Sequence, residues 1–352
     1  MTALRLYAHH VAGLRYAEDN VATPFRYRPD GGFEFREPLL AAGVEPVGSL
    51  GEADVACLPA GWASYQGPQR DQAVAFIEQA ARAGLRVAVW VLGDHEVDLP
   101  WPNVIQFQHA FRRSRPSWAT RCVVPTMLGD FAPEVFGDQF GPLPKGSRPL
   151  VGFCGQAGAG AQEEVKRVLI KGRARLQRAA HRSEDLPEPW RSHVRLRRTV
   201  LEALEADARV DTDFIIRDRY RGGLPDRKDP ALFRHATNVE FYWNIHGTQY
   251  TVCVRGGGNF SVRLYETLCV GRIPLVLDTD GLLPWPRDPF WSEVALVVPF
   301  AERHSLADRL VAHHAAADEQ GWADRQERAR RFWLDRLSRA GWLTHLPELL
   351  AP

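Results

Sequence analysis

Short apolar runs alternate with amphipathic stretches through the first part of the chain. Runs of strand length, several of them rich in β-branched residues, predict strands over residues 4–8, 54–59, 85–92 and 103–108. Between the second and third of these runs, residues 71–83 carry apolar side chains at helical spacing and stop before Gly84, which predicts a helix. Strands and helices that alternate in this way are typical of parallel βαβ units.

The same alternation resumes in the second part of the chain. Apolar runs predict strands over residues 149–153, 214–217, 251–255, 273–278 and 295–298, with helices between 162 and 208 and over 305–319 and 322–340. Between the two series, residues 129–149 contain four glycines and four prolines, a composition typical of a linker. The pattern therefore predicts α/β domains over residues 1–145 and 146–322, followed by C-terminal helices over 323–352.

The predicted strand that begins at Tyr250 is followed by a concentration of candidate binding groups. Arg255 and three glycines, Gly256, Gly257 and Gly258, come directly after it, and a helix is expected to begin near Asn259 or Ser261. Open α/β sheets bind ligands at the carboxyl ends of their strands. Glycines let the backbone approach a ligand closely, and the free N–H groups at a helix N-terminus attract anions.

The helix after these glycines carries a cation and a carboxylate on one face. Arg263 and Glu266 are three residues apart, so they are neighbours on the helix surface. The arginine can hold a phosphate, and the carboxylate can accept hydrogen bonds from ribose hydroxyls. The sequence therefore predicts a site for a nucleoside diphosphate.

This block also resembles the exostosin-type glycosyltransferases. Their signature joins an Arg-Gly after a strand, a Ser-x-Arg-x-x-Glu helix and a Gly-x-Ile-Pro strand that ends in Asp. The matching residues here are Arg255, Gly256, Ser261, Arg263, Glu266, Gly271, Ile273, Pro274 and Asp278. The resemblance is strongest over residues 250–291, since Leu-Pro-Trp at 283–285 and Trp291 continue it. It implies the GT-B fold, in which two Rossmann-like α/β domains face each other across a cleft and the last helices pack back toward the N-terminal domain.

The resemblance further implies an inverting enzyme that moves a sugar from a nucleoside diphosphate donor to a hydroxyl of a glycan or other small acceptor. The nucleotide-sugar would be a co-substrate, and no cofactor is expected. The implied donor-binding residues are Arg198, Arg255, Gly256, Gly257, Ser261, Arg263 and Glu266. Arg198 is taken from an Arg-x-x-Leu helix, and the adjacent Arg197 is the alternative. A non-catalytic nucleotide- or glycan-binding protein of the same fold remains the alternative function.

An inverting transferase needs one general base to deprotonate the acceptor hydroxyl. Asp94, His95 and Glu96 follow the predicted strand 85–92 at its carboxyl end, and all three can act as bases. Asp94 is closest to the strand and best held in place, whereas the pKa of a histidine such as His95 is nearer neutrality. We favour Asp94, with His95 next, and the pair at residues 9–10 after that.

Two Asp-Thr-Asp triplets, at residues 211–213 and 278–280, have the form of a motif that holds a divalent metal in other glycosyltransferases. Asp278 instead matches the aspartate that ends the family's own strand, which does not require a metal. Because Arg198, Arg255 and Arg263 can neutralise the departing diphosphate, we expect a metal-independent enzyme without a metal site.

Composition restricts the remaining possibilities. A net charge of +1 argues against a protein that binds nucleic acid through its overall field. The five cysteines form no Cys-x-x-Cys pair and lie in apolar contexts, so we expect buried thiols in a reducing compartment. We find neither a signal-peptide pattern nor an apolar stretch of roughly 18 residues, the length that would span a membrane. We therefore expect a bacterial, cytoplasmic protein, unlike the Golgi-anchored animal members of the family.

Overall fold

The computed structural model describes residues 3–14, 23–28, 32–158, 169, 172–173, 176, 192–224, 235–286 and 290–351. The chain forms two compact units. Unit 1 combines Met1–Gly129 with Leu282–Pro286 and Asp335–Pro352, and unit 2 combines Asp130–Gly281 with Arg287–Leu334.

The described strands are β1 Leu4–Ala8, β2 Phe25–Tyr27, β3 Phe33–Phe35, β4 Val44–Pro46, β5 Val55–Gly61, β6 Val87–Trp90, β7 Val104–Gln108, β8 Thr120–Val123, β9 Leu150–Gln156, β10 Asp211–Arg217, β11 Tyr250–Cys253, β12 Ile273–Asp278 and β13 Leu296–Pro299. The described α-helices are α1 Glu37–Ala41, α2 Pro68–Arg82, α3 Ala132–Phe136, α4 His193–Glu205, α5 Ala236–Gly247, α6 Val262–Cys269, α7 Phe290–Val294, α8 Leu306–Ala315, α9 Glu319–Phe332 and α10 Arg339–Leu350.

Unit 1 is built on a parallel sheet with the strand order β4-β1-β5-β6-β7-β8. Every residue of β5, β6 and β7 is buried, as expected for parallel strands covered on both faces. The predicted β1, β5, β6 and β7 are confirmed, whereas the short strands β4 and β8 and the antiparallel pair β2–β3 were not predicted.

The two faces of this sheet are covered by helices from opposite ends of the chain. On α2 the buried residues recur at helical spacing (Ala73, Phe76, Ile77 and Ala80), and they pack in one apolar cluster with β5 and β6. Gly84 ends this helix with a φ of +73°. On the other face, the buried Trp342 of α10 lies edge-on to Phe107 of β7, with ring centroids 5.9 Å apart.

The predicted helix over residues 322–340 is confirmed in part, because most of these residues are helical but they do not form one continuous helix. The structure contains α9, then a π-helical turn at Trp333–Leu337, then α10. Ser338 caps the new helix, because its Oγ accepts a hydrogen bond from the Gly341 N–H at 3.1 Å. The break separates α9, which lies in unit 2, from α10, which lies in unit 1.

The first segment of unit 1 ends at Gly129, earlier than the predicted boundary at residue 145. The glycine- and proline-rich segment that follows contains α3 and is attached to α9 of unit 2. Arg330 of α9 forms an ion pair with Asp130 at 2.5 Å, and Gln326 exchanges two hydrogen bonds with the backbone of Leu143. These polar contacts, which composition does not reveal, assign the segment to unit 2.

Unit 2 is built on a second parallel sheet with the order β10-β9-β11-β12-β13. All of these strands were predicted, with bounds that differ at the ends. Of the helices expected between residues 162 and 208, α4 is confirmed, and most of the remaining stretch lies outside the described residues. Two Rossmann-like α/β domains, each with its own parallel sheet, are therefore confirmed.

Two expectations from composition concern the interior. All five cysteines are buried and unpaired, as predicted. Desolvation raises the pKa of the Cys122 and Cys253 thiols to about 12, so these thiols stay protonated. In the described part of the chain, no helix has the length and apolarity needed to cross a membrane.

Candidate functional site

The order in which strands are added to the unit 2 sheet reverses between β9 and β11. The chain places β10 on one side of β9 and β11 on the other. Strands β9 and β11 pair only near their starts, at Val151↔Tyr250 and Gly152↔Thr251, although β9 continues to Gln156. Open α/β sheets bind ligands at the carboxyl edge of such a reversal point. The residues at this edge are therefore the first candidates for a site.

Arg197 of α4 joins the ends of these two strands. Its Nη1 donates to the carbonyl oxygen of Gln156 at 3.2 Å, and its Nη2 donates to the carbonyl oxygen of Arg255 at 3.0 Å. One guanidinium therefore bridges the end of β9 and the loop after β11. Two main-chain acceptors hold its planar fork in one orientation.

Arg198, the residue predicted from the family pattern, lies elsewhere. Its side chain is 48% exposed, and its Nε donates to Glu202 Oε1 at 2.7 Å in an i,i+4 ion pair on the helix surface. Consecutive residues of an α-helix point about 100° apart, so only one of the two arginines can face the sheet edge. The structure brings Arg197, the alternative named from the sequence, to this edge, and donor binding by either arginine stays a prediction.

Arg263, the second residue of α6, is held against β9. Its Nη2 donates to the carbonyl oxygen of Cys154 at 2.7 Å, and its guanidinium carbon lies 4.2 Å from the centroid of the Phe153 ring. A Cβ on Gly155 would lie 2.6 Å from Nη2, so this close approach requires glycine at position 155. Desolvation lowers the pKa of Arg263, but an arginine keeps its charge in proteins.

The loop between β11 and α6 supplies the third arginine. Arg255 is 5% exposed, and its Nη1 donates to the carbonyl oxygen of Gly256 at 3.3 Å. The Gly256 N–H donates to the Phe260 carbonyl at 2.8 Å, which closes the loop before the helix. Gly257 is exposed at the tip of this loop. None of the glycines at 256–258 has a positive φ, so the turn itself does not require glycine. Their contribution is a backbone that carries no side chains.

The two other predicted residues lie on the same helix. Ser261 occupies the N-cap position of α6, but its side chain does not cap the helix. Glu266 is 5% exposed and faces inward one turn further along. The structure therefore assembles Arg197, Arg255 and Arg263 with the start of α6 at one edge of the sheet. Three cations and a helix N-terminus can hold a diphosphate.

Aspartates of both Asp-Thr-Asp triplets make hydrogen bonds or ion pairs within the protein. Asp278 Oδ1 accepts hydrogen bonds from the N–H groups of Asp280 at 2.9 Å and Gly281 at 3.0 Å, which shapes the turn after β12. In the other triplet, Asp211 pairs with Arg148, and Asp213 Oδ2 accepts a hydrogen bond from the Asn244 side chain. Across the described ranges, no group of three or more histidine, cysteine, aspartate or glutamate side chains could hold a metal ion.

The candidate bases of unit 1 lie in the loop after β6. Asp94 and His95 are exposed, whereas Glu96 is 3% exposed and forms a buried ion pair with Arg112 at 2.8 Å. Gln108, the last residue of β7, fixes the loop because its Nε2 donates to the His95 carbonyl and its Oε1 accepts from the Val97 N–H at 3.3 Å. Glu96 therefore supports the loop, and Asp94 and His95 stay the candidate bases.

His109 was not singled out from the sequence. It follows β7 directly, and its Nδ1 donates to the Val124 carbonyl oxygen at 2.8 Å. Desolvation lowers its pKa, while this hydrogen bond and the nearby charge of Asp94 oppose the shift. The signal that singled out Asp94, a polar residue at the carboxyl end of a buried strand, applies to His109 equally.

His9 lies at the corresponding position after β1. Its ring stacks on Phe76 with centroids 3.9 Å apart and planes 3° from parallel. Desolvation and the neighbouring His10 lower its pKa, so the imidazole is neutral at pH 7. The reversal of strand order in unit 1 lies between β1 and β5, beside this residue.

The chain matches no known protein-family model and no curated protein sequence. Its structure is similar to that of a glycosyltransferase from Rickettsia africae, with 9% sequence identity, coverage of 99% of this chain and 98% of that chain, and a TM-score of 0.37. It is also similar to a UDP-forming α,α-trehalose-phosphate synthase from Burkholderia vietnamiensis, with 12% identity, coverage of 99% and 97%, and a TM-score of 0.34.

Proposed function

We propose that this protein is a glycosyltransferase that takes its sugar from a nucleoside diphosphate donor. The observation that carries the proposal is that Arg197 and Arg263 donate to carbonyl oxygens near the end of β9, while Arg255 lies in the loop after β11. Guanidinium groups held by main-chain carbonyls are preorganised for a dianionic leaving group. The exostosin-type pattern over residues 250–291 supports the same reading.

The reaction breaks the bond between the anomeric carbon and the diphosphate, so negative charge develops on the departing oxygen. The arginines stabilise this charge without having to reorient. Removal of one such electrostatic contact typically costs about 3–4 kcal/mol in the activation barrier. Ser261, Gly256 and the exposed Gly257 are assigned to the same phosphates, and the buried Glu266 is assigned to the ribose hydroxyls.

The acceptor is a hydroxyl of a glycan or another small molecule, and transfer proceeds with inversion. A single displacement needs one general base to take the hydroxyl proton as the oxygen attacks the anomeric carbon. Asp94 is the first candidate and His95 the second, since both side chains are exposed on a loop fixed by Gln108. Alanine at the true base removes transfer but leaves donor binding unchanged, because the donor contacts lie in unit 2.

A thermal-shift screen against nucleoside diphosphates and their sugars tests the donor site. A ligand at a hundred times its dissociation constant raises the free energy of unfolding by about 2.7 kcal/mol. The nucleotide-sugar that gives the largest shift is then supplied with candidate acceptors, and release of nucleoside diphosphate is measured. No shift with any nucleotide contradicts the proposal. Binding with slow donor hydrolysis and no transfer indicates a non-catalytic binding protein.

A further inference from the structure

Tyr220 lies in the short turn Tyr220–Gly223 that follows β10, at the carboxyl edge of the unit 2 sheet. Its side chain is 70% exposed, which is high for a large aromatic residue. The edge position is the one that binds ligands in open α/β sheets. The ring therefore stands beside the proposed donor site with most of its surface in solvent.

The turn that carries this ring is held firmly. Gln156 Nε2 donates to the Asp218 carbonyl at 2.9 Å, and the N–H groups of Ala157 and Gly158 donate to the Arg217 carbonyl at 3.2 Å. A Cβ on Gly222 would lie 2.7 Å from Thr237 Cγ2, so the turn is also packed against α5. The exposure of Tyr220 therefore belongs to a fixed turn.

The backbone of the turn is unusual as well. Arg221 has a φ of +52° and the next two residues, Gly222 and Gly223, have φ values of +66° and +87°. A left-handed conformation at a residue other than glycine is strained and tends to occur at functional sites. A turn of this kind with an exposed tyrosine at its start points to a ligand.

One residue links this turn to the arginines. The carbonyl oxygen of Gln156 accepts a hydrogen bond from Arg197, and its side chain donates to the backbone of Asp218. Gln156 is therefore hydrogen-bonded both to the guanidinium that bridges β9 and β11 and to the segment that leads into the turn. Because β10 pairs with β9, this turn and the bridging arginine lie at the same carboxyl edge of the sheet.

We propose that Tyr220 is the platform on which the nucleobase of the donor stacks, an assignment that rests on the proposed function. Every nucleobase has a flat π face, and stacking on an aromatic side chain contributes to binding whatever the base. The arginines hold the diphosphate, and Tyr220 recognises the nucleoside. Arg219 and Arg221 flank Tyr220 in the sequence and add positive charge to this turn.

Calorimetric titration of the wild type, Tyr220→Ala and Tyr220→Phe tests this assignment. The probes are uridine, guanosine, thymidine and adenosine diphosphates, each alone, and inorganic pyrophosphate. Tyr220→Ala is expected to raise the dissociation constant of the nucleoside diphosphate by roughly 5- to 150-fold, the range typical of losing one stacked base. Tyr220→Phe keeps the ring and binds like the wild type, and pyrophosphate binds all three proteins equally.

Trp118→Ala is the matched control, because it removes another exposed aromatic ring, 71% exposed, from unit 1. It is expected to leave nucleoside diphosphate binding unchanged. If the wild type binds a nucleoside diphosphate and Tyr220→Ala binds it equally well, the assignment of Tyr220 as the stacking platform is wrong while the proposed function stands. The assignment is also wrong if Tyr220→Ala loses affinity for pyrophosphate as much as for the nucleotide. Failure of the wild type to bind any of the four nucleotides overturns both proposals.

Discussion

Two adjacent arginines of α4 have opposite surroundings. Arg197 donates to two main-chain carbonyls at the edge of the unit 2 sheet, whereas Arg198 forms an exposed ion pair with Glu202. Exposed ion pairs of this kind contribute little to stability. The two residues therefore form a natural pair for mutation, with the same charge and the same helix but different positions relative to the proposed site.

Arg197→Ala is expected to weaken binding of nucleoside diphosphate and to lower turnover by about 10²–10³-fold, as loss of one preorganised donor typically does. Arg198→Ala is expected to retain both properties, since its partner is Glu202 at the surface. Isothermal titration with nucleoside diphosphate and steady-state kinetics provide the comparison. Equal losses in the two variants would contradict the placement of Arg197 at the donor site.

At the scale of elements, the loop after β6 is organised by a buried ion pair. The Glu96 and Arg112 side chains are only 4% and 8% exposed, and Glu96 Oε1 also accepts the Arg112 N–H at 3.0 Å. The carboxylate thus connects the loop after β6 with the loop after β7. Through this connection, the candidate base Asp94 and the unpredicted His109 are carried on two loops that are joined to each other.

Glu96→Ala is expected to lower the free energy of unfolding by about 3–5 kcal/mol, because it leaves the Arg112 charge buried without its carboxylate. Asp94→Ala, two residues earlier and exposed, is expected to change it by only about 0.5 kcal/mol. Urea denaturation of the wild type and both variants measures the difference. A small loss in Glu96→Ala would show that the loops are held together by other contacts.

At the scale of the whole molecule, buried and half-buried histidines are expected to make the free energy of unfolding depend on pH. Burial, with help from Arg325 and His314, lowers the pKa of His313 from 6.5 to about 4, and a hydrogen bond of 2.9 Å joins its Nδ1 to the Tyr250 hydroxyl. His9, His109, His246 and His314 are shifted in the same direction. Each of these imidazoles is therefore more easily protonated in the unfolded chain than in the folded protein.

The free energy of unfolding is therefore expected to fall as the pH is lowered from about 6.5 toward 4, with a limit of about 1.4 kcal/mol per pH unit for each proton taken up. The His313 contribution is present above pH 6.5 and is lost below about pH 4. Denaturant titrations at several pH values measure the slope. His313→Asn should make it shallower, and His304→Asn, at an exposed position, is the control. If the free energy of unfolding depends on pH equally in the wild type and His313→Asn, His313 is not a source of the pH dependence.

Catalysis as a whole is expected to survive removal of divalent metal. Arg197, Arg255 and Arg263 can neutralise the leaving group, and Asp278 is engaged in its own turn. Turnover of the nucleotide-sugar is measured before and after treatment with EDTA. Loss of activity that manganese restores would contradict metal independence and return attention to Asp278 and Asp280.

The linear sequence determined the elements whose signal is local. Buried parallel strands are continuous apolar runs, so β5, β6, β7 and the strands of unit 2 could be predicted without knowledge of their partners. The helix α2 was equally visible, because a periodic apolar face precedes Gly84. The block at residues 250–278 identified the proposed donor site because a strand, a glycine turn and a helix are contiguous there.

Only the tertiary structure decided what depends on contacts between distant residues. The short strand β4 has two exposed residues out of three and no distinctive pattern, so its pairing with β1 could not be predicted. The choice of Arg197 over Arg198 depends on which face of α4 packs on the sheet, and the structural role of Glu96 depends on Arg112, sixteen residues away. A side chain's partner is set by packing across the chain, whereas a strand or helix is set mainly by its own residues.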